Sequence, residues 1–148
     1  KPATLRDEIT GRTQAVIDPK SNEIVTMGRR KRASARVRIK PGSGKFIVNG
    51  KPLEDYLARG TLVQMARRPF EVTGTLDRYD VRAICDGGGL AGQAGALRMG
   101  VARALLEENE NFRLALREDG SLTRDSREVE RKKYGQPGAR KRFQFSKR

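Results

Sequence analysis

The chain has no histidine, no tryptophan and a single cysteine, Cys85. One thiol excludes an internal disulfide framework, and without histidine the usual zinc ligand sets cannot be completed, so no metal is expected. Uninterrupted apolar runs never exceed three residues, as in Phe46-Ile47-Val48 and Ala104-Leu105-Leu106. None could cross a bilayer or form the apolar core of a signal peptide, so a soluble protein with no membrane partner is expected. Apolar residues make up only 36% of 148 positions and charged residues 34%, which leaves room for one modest core with solvated extensions.

Positive charge is abundant, and it is segregated. The net charge is +14, from 32 Lys and Arg against 18 Asp and Glu. Residues 28 to 45 hold eight bases and no acid: Arg29, Arg30, Lys31, Arg32, Arg36, Arg38, Lys40 and Lys45. Residues 131 to 148 hold eight more, again with no acid: Arg131, Lys132, Lys133, Arg140, Lys141, Arg142, Lys147 and Arg148. The other sixteen bases are outnumbered by the eighteen acids. A surface charged only for solubility would intersperse the signs. Segregated blocks suit a polyanion, whose condensed counterions are released as phosphates are neutralised. Nucleic acid is the expected partner, ahead of an anionic membrane or another acidic surface.

Residues 1–25 are weakly patterned and are read as an N-terminal extension, with a turn at Asp18-Pro19-Lys20-Ser21-Asn22. Residues 26–133 are read as an α/β domain. From Ala33, small and apolar residues alternate with Ser34, Arg36, Arg38 and Lys40, which predicts a strand showing a basic stripe. Pro41-Gly42-Ser43-Gly44 predicts a turn and Lys45 to Val48 a partner strand, the two forming a hairpin, with a further turn at Asn49-Gly50. Short helices are expected at Leu53, Tyr56 and Leu57 and over Thr61–Arg68, then strands over Phe70–Thr75 and Tyr79–Cys85. Cys85 reads as a buried strand residue. Helical spacing from Leu90 to Glu108 predicts the longest helix, and a shorter one is expected over Glu110–Glu118 before Gly120. Asp125 and Glu128 resemble a capping pair, predicting a last helix over Ser126–Lys133. Residues 134–148 lack apolar periodicity and are read as an extended basic tail.

Gly87, Gly89 and Gly92 fit G-x-G-x-x-G between a strand and a helix, an arrangement that brings backbone N–H groups to a phosphate. A dinucleotide site would also need an acid at the end of a following strand. Glu107 and Glu108 lie inside the helix instead, and no apolar strand follows. A tight structural turn and contact with a nucleic-acid backbone remain. No nucleophile with a general base stands out, and the acids lie mostly near bases at helical spacing, so no enzyme, cofactor or small-molecule substrate is expected. In the tail, Phe143 and Phe145 interleave with cations, a pattern that can stack on bases or anchor on a protein while the cations meet phosphates.

Several spaced motifs, in order, resemble the bacterial-type small-subunit ribosomal protein S-nine family. They are Gly28-Arg29-Arg30-Lys31, Lys40 to Lys45, Gly87 to Ala96, Leu122 to Arg127, Glu130 to Lys133 and the terminal Phe145-Ser146-Lys147-Arg148. The resemblance covers about residues 26 to 148. It implies a fold like the second domain of ribosomal protein S-five: a four-stranded sheet packed on helices, with a left-handed βαβ crossover that departs from the usual rule. It also implies a structural component of the small ribosomal subunit, bound to the 3′ major (head) domain of 16S-type ribosomal RNA beside neighbouring head proteins. The expected location is the ribosome of a bacterial cytoplasm, with an organellar ribosome as the alternative.

With binding expected to be mostly electrostatic, ribosomal RNA contacts are expected at Arg29, Arg30, Lys31, Arg32, Arg36, Arg38, Gly87, Gly88, Gly89, Gly92, Gln93 and Arg98. Further contacts fall to Arg124, Arg127, Arg131, Lys132, Lys133, Arg140, Lys141 and Arg142. The tail is expected to reach transfer RNA in the P site through Ser146, Lys147 and above all Arg148. Gln136-Pro137-Gly138 and Phe143 depart from the family pattern, which implies fewer phosphate contacts before the tail and a different tail path.

Overall fold

The computed structural model describes residues 16–18 and 22–147. The elements run β1 (Val16–Asp18), β2 (Glu23–Arg30), β3 (Ala33–Pro41), β4 (Phe46–Val48), β5 (Lys51–Pro52), α1 (Leu53–Leu57), α2 (Gly60–Thr73), β6 (Tyr79–Asp86), α3 (Leu90–Glu108), a 3-10 turn (Glu110–Phe112) and α4 (Arg113–Glu118). The fold is mixed α/β of the expected type. Its six strands lie in the order β1-β2-β3-β6-β4-β5, so the expected four central strands carry a short addition at each edge. Val16–Asp18 and Glu23–Val25, read from sequence as extension, thus pair with each other in the sheet. The turn expected from Asp18 to Asn22 falls on residues 19–21, outside the described residues.

Alternation sets the sheet's two faces. Ala33, Ala35, Val37 and Ile39 of β3 and Val81, Ala83 and Cys85 of β6 are buried on the helix side, while Arg36, Arg82 and Ile84 point outward and are exposed. Each fully buried Val, Leu or Ile contributes about 1.5–3 kcal/mol relative to exposure. α3 lies across β2 and β3 and is backed by α2. Its residues are buried nearly all round, as befits a helix enclosed by sheet and helix. The many Ala and Gly on it let the strands come close.

Three sequence expectations are corrected. β3 and β4 do not form a hairpin: β3 pairs antiparallel with β2 and β6, and β4 pairs parallel with β6, which sits between them. The Pro41–Gly44 turn instead folds onto β6, where Asp80 Oδ1 accepts from the backbone N–H of Ser43 (2.9 Å) and Lys45 (3.0 Å). Those backbone bonds hold the Asp80 carboxyl below its ordinary range.

No strand forms over Phe70–Thr75: Phe70–Thr73 are the last turn of α2, and Gly74 caps it. Leu62, Ala66, Pro69 and Phe70 fall on one buried helical face, and Phe70 packs edge-on to Phe46 and stacks on Tyr79. That burial outweighs the backbone bond Pro69 cannot make. α2 ends at Gly74, whose φ of 64° is left-handed.

Finally, no helix forms over Ser126–Lys133. Its would-be apolar residue, Val129, is exposed, so such a helix would have nothing to bury. Asp125 Oδ1 accepts from the Arg127 backbone N–H at 3.0 Å, a local turn that competes with helix.

Asn49 ends β4 in a left-handed conformation and grips β6 on both sides, accepting from Cys85 N (2.9 Å) and donating to Cys85 O (3.1 Å). Asn49→Ala is expected to destabilise the domain by about 1–3 kcal/mol, read as a lower urea midpoint. A midpoint equal to that of the parent chain would show that water replaces both bonds.

Candidate nucleic-acid interface

Arg29 to Arg32 form one end of the sheet, where the β2–β3 hairpin turns at Lys31 and Arg32. Lys31 takes a φ of 52° in that turn. The glycine loop abuts it: a Cβ on Gly87 would stand 2.6 Å from Arg32 O, and one on Gly88 would stand 3.0 Å from Ala33 N. Both glycines have positive φ, so the loop is a tight turn packed on the hairpin. Gly92, inside α3, faces Ala33 and the Arg30 carbonyl.

Gln93 is buried and serves the fold. Its Nε2 donates to Gly87 O at 3.1 Å, and its Oε1 accepts from the Tyr56 hydroxyl at 2.6 Å. Gly89 caps α3 without a side-chain acceptor, and the first turn holds no acid. The first N–H groups of a 19-residue helix therefore open beside Lys31 and Arg32, a favourable place for negative charge.

Several predicted contact residues spend their charge within the protein. Arg30 points to the helix side of β2, donating to Ala91 O (3.1 Å) and to Asp125 Oδ2 (3.4 Å). Arg98 donates to Ser121 Oγ (3.0 Å) and to Asp119 O and Oδ2 (both 2.8 Å), fastening the chain after α4. Burial works against the Asp119 carboxylate, but Ser121, Arg68 and Arg98 outweigh it and hold it low. Arg124 reaches Lys31 O (3.4 Å) and Glu128 (2.9 Å). Arg127 chelates Asp125, at 2.8 Å from Oδ2, and together with Arg30 holds that carboxyl far below its ordinary value. The hairpin, the glycine loop and residues 121–128 are thereby drawn to one end of the molecule.

Arg36 and Arg38 lie apart from this end, on the open face of the sheet. Arg38 stands opposite Arg82, and like charges so placed repel. Buried Glu23 lies between them, 3.8 Å from Arg38 and 3.1 Å from Arg82. Arg82 belongs with the basic face; the alternation around Val81 and Ala83 implied its direction but not its neighbour. Arg103, on α3, was also missed. It donates to Met27 O at 2.8 Å, and burial, then the nearby charge of Arg29, lowers its pKa. Burial pushes the Cys85 thiol up to about 11, in keeping with a strand residue rather than a nucleophile.

Residues 130–140 close on themselves. Arg140 donates to Glu130 Oε1 at 2.7 Å, Lys133 Nζ to its Oε2 at 3.3 Å, and Lys133 N to Gly138 O at 3.5 Å. Arg140, then Lys133, hold the Glu130 carboxyl down at about 2, against an ordinary 4.5. A lowered carboxyl pKa gives a link that is complete above the ordinary value and lost as pH falls through the lowered one. NMR titration is therefore expected to show the Arg140 contact unchanged from neutral pH to about 5 and dissolving as pH falls from there through about 2. Loss of the contact already between pH 7 and 5 would contradict the geometry.

Arg131, Lys132, Lys141 and Arg142 are exposed, as are Ser146 and Lys147; Arg148 lies outside the described residues. Phe143 and Phe145 are 73% and 89% exposed. Among the described residues no acidic partner lies within ion-pair distance of Arg29, Lys31, Arg32, Arg36, Lys132, Lys141, Arg142 or Lys147.

These features define a small α/β protein whose uncompensated cations gather on a hairpin-and-loop end, one sheet face and a tail. Comparison with known sequences narrows that class. The family model described as "Ribosomal protein S9/S16" matches residues 28–148, and the chain belongs to that family of structural, non-enzymatic ribosomal proteins. The "Small ribosomal subunit protein uS9" of Gemmatimonas aurantiaca is 59% identical over 128 residues, covering 86% of this chain and 99% of the relative. Those of Maridesulfovibrio salexigens and Anaeromyxobacter sp. are 54% and 51% identical, over 82% and 84% of this chain and 93% and 95% of theirs.

Proposed function

We propose that the chain is a structural, RNA-binding part of the small ribosomal subunit, holding head-domain ribosomal RNA and reaching P-site transfer RNA with its tail. The observation that carries this reading is the set of cations left without acidic partners among the described residues while their neighbours are consumed by internal ion pairs. Lys31 and Arg32, the uncapped start of α3, and Arg36 on the open face would meet phosphates. Arg30, Arg98 and Arg124 would instead keep the surface in shape. Specificity would come from the folded RNA, read by backbone and shape. Neighbouring head proteins are the other expected partners.

The test is sedimentation of a tagged copy from its own cells, with crosslinked RNA sequenced. Co-migration with the small subunit and crosslinks from Lys31, Arg32 and Arg36 to head-domain RNA are expected; migration as a free protein would overturn the reading. The electrostatic mechanism has its own measure. With six or more phosphate contacts, affinity for head-domain RNA is expected to fall about a thousandfold or more between about 50 and 200 mM salt. Affinity that is flat over this range would refute binding through phosphates.

A further inference from the structure

Beside the hairpin, a groove of about 380 Å³ opens between the end of β2, α3 and residues 120–127. Its floor includes Met65, Gly95 and Met99, and its rim Arg29, Thr123 and Arg127. We propose that this groove binds a single unstacked nucleotide of RNA, its base over the Met65 and Met99 side chains and its phosphate on Arg29. The proposal rests on the RNA-binding reading above and adds a site to it.

The size suits one small ligand and is at the low end of known pockets. Two thioethers make a soft, polarisable floor that favours the flat face of an aromatic ring. Gly95 has no side chain, and the Arg30 side chain lies against it, where a Cβ would meet Arg30 Cδ at 2.1 Å, so the Arg30 stem forms part of the groove wall. Five arginines line the groove against one acid, Asp125, which Arg30 and Arg127 already neutralise.

Arg98 commits Nε and Nη2 to Ser121 and Asp119, and no bond among the described residues uses its Nη1. Among the described residues Arg29 donates only to Met27 Sδ, at 3.5 Å, with the Arg103 guanidinium near enough to be disfavoured by it. Two guanidinium groups close together without a carboxylate among the described residues are relieved by a bound anion. A second cavity, of about 240 Å³, shares Arg30 and Arg127 and adds Lys31 and Glu128, whose carboxylate is paired with Arg124 at 2.9 Å, so Lys31 is the cation left there for a flanking phosphate.

A phosphate alone would leave the methionine floor unmatched, and a stacked duplex could not lower a base onto it. An extruded nucleotide satisfies both, the mode by which proteins read unpaired RNA.

The test uses the full chain and fluorescence anisotropy with two RNA hairpins at one salt concentration, identical except for one bulged nucleotide. The bulge is expected to tighten binding about tenfold, the effect of one stacked base. Thr123→Trp fills the groove from its exposed rim without removing a charge, and should abolish the bulge increment while leaving the fully paired hairpin unchanged. Arg29→Ala, at an exposed strand end, provides a second variant and should weaken the bulged hairpin more than the paired one.

Equal affinity for the two hairpins, or a bulge increment that survives both variants, overturns the nucleotide site while the RNA-binding reading stands. Binding to neither hairpin overturns both. Displacement of the bulged hairpin by an equimolar free nucleoside monophosphate would assign the groove to a soluble nucleotide and overturn the proposal.

Discussion

Gly28→Val is expected to abolish cooperative folding. A Cβ at Gly28 would stand 1.9 Å from Ala96 O and 2.5 Å from Gly100 N, both backbone atoms of α3. No rotamer change can clear backbone, so either β2 or α3 must move. Gly100 faces the same seam, where its own Cβ would meet Val37 Cγ2 at 2.6 Å, and Thr26 Oγ1 donates to Gly100 O at 2.7 Å. Lifting α3 would break that bond and expose Leu97, Val101 and Leu105, all fully buried. Overpacking at this scale costs about 3 kcal/mol or more, a large share of the roughly 5–15 kcal/mol that holds a domain together. Gly28→Ala introduces the same first atom and is expected to lower the urea midpoint by most of this amount. Gly100→Ala should lose less, because the Val37 methyl can shift. A parent-like midpoint for Gly28→Ala would mean that strand and helix are not in backbone contact.

Gly28 also shows why parts of the fold are hard to read from sequence. On β2, the residues facing the helices are Ile24, Thr26, Gly28 and Arg30, so the inward face is not an apolar series and its period of two is hidden. Thr26 is there for a hydrogen bond, Gly28 for closeness and Arg30 for a polar strut, purposes that only the position of α3 reveals. β3 and β6 were legible because their inward residues are all small or apolar, and α3 because its apolar spacing is continuous. Pairing was less so. Pro41–Gly44 looks like a hairpin turn, but β6, about forty residues on, takes the place beside β3.

The site divides in the same way. Segregated charge pointed to Lys31, Arg32, Arg36 and the tail, and the first three have no acidic partner within ion-pair distance among the described residues. It could not separate them from Arg30 and Arg98, whose neighbours in sequence give no hint that Asp125 and Asp119 will occupy them. Gln93 is the opposite case: it sits inside the most recognisable motif, yet it is buried and bonds to Gly87 and Tyr56. Its side chain is needed to shape the loop.

The tail offers the cleanest separation of fold from function. Lys141 to Lys147 are exposed, with no backbone or side-chain bond to the domain among the described residues, so removing Ser146–Arg148 should leave the unfolding midpoint and subunit assembly unchanged. If these residues meet transfer RNA as proposed, the deletion removes charge-assisted bonds of about 1–3 kcal/mol in total, and transfer RNA should leave the P site about five to 150 times faster. The measurement is the dissociation rate of P-site transfer RNA from purified small subunits carrying the intact or shortened chain. A double substitution, Lys147→Ala with Arg148→Ala, keeps the length and removes the charge. Equal losses in the two variants would assign the effect to the cations. A loss only on deletion would assign it to Ser146 or to reach, and unchanged retention in both would reduce the tail to a tether on the subunit surface.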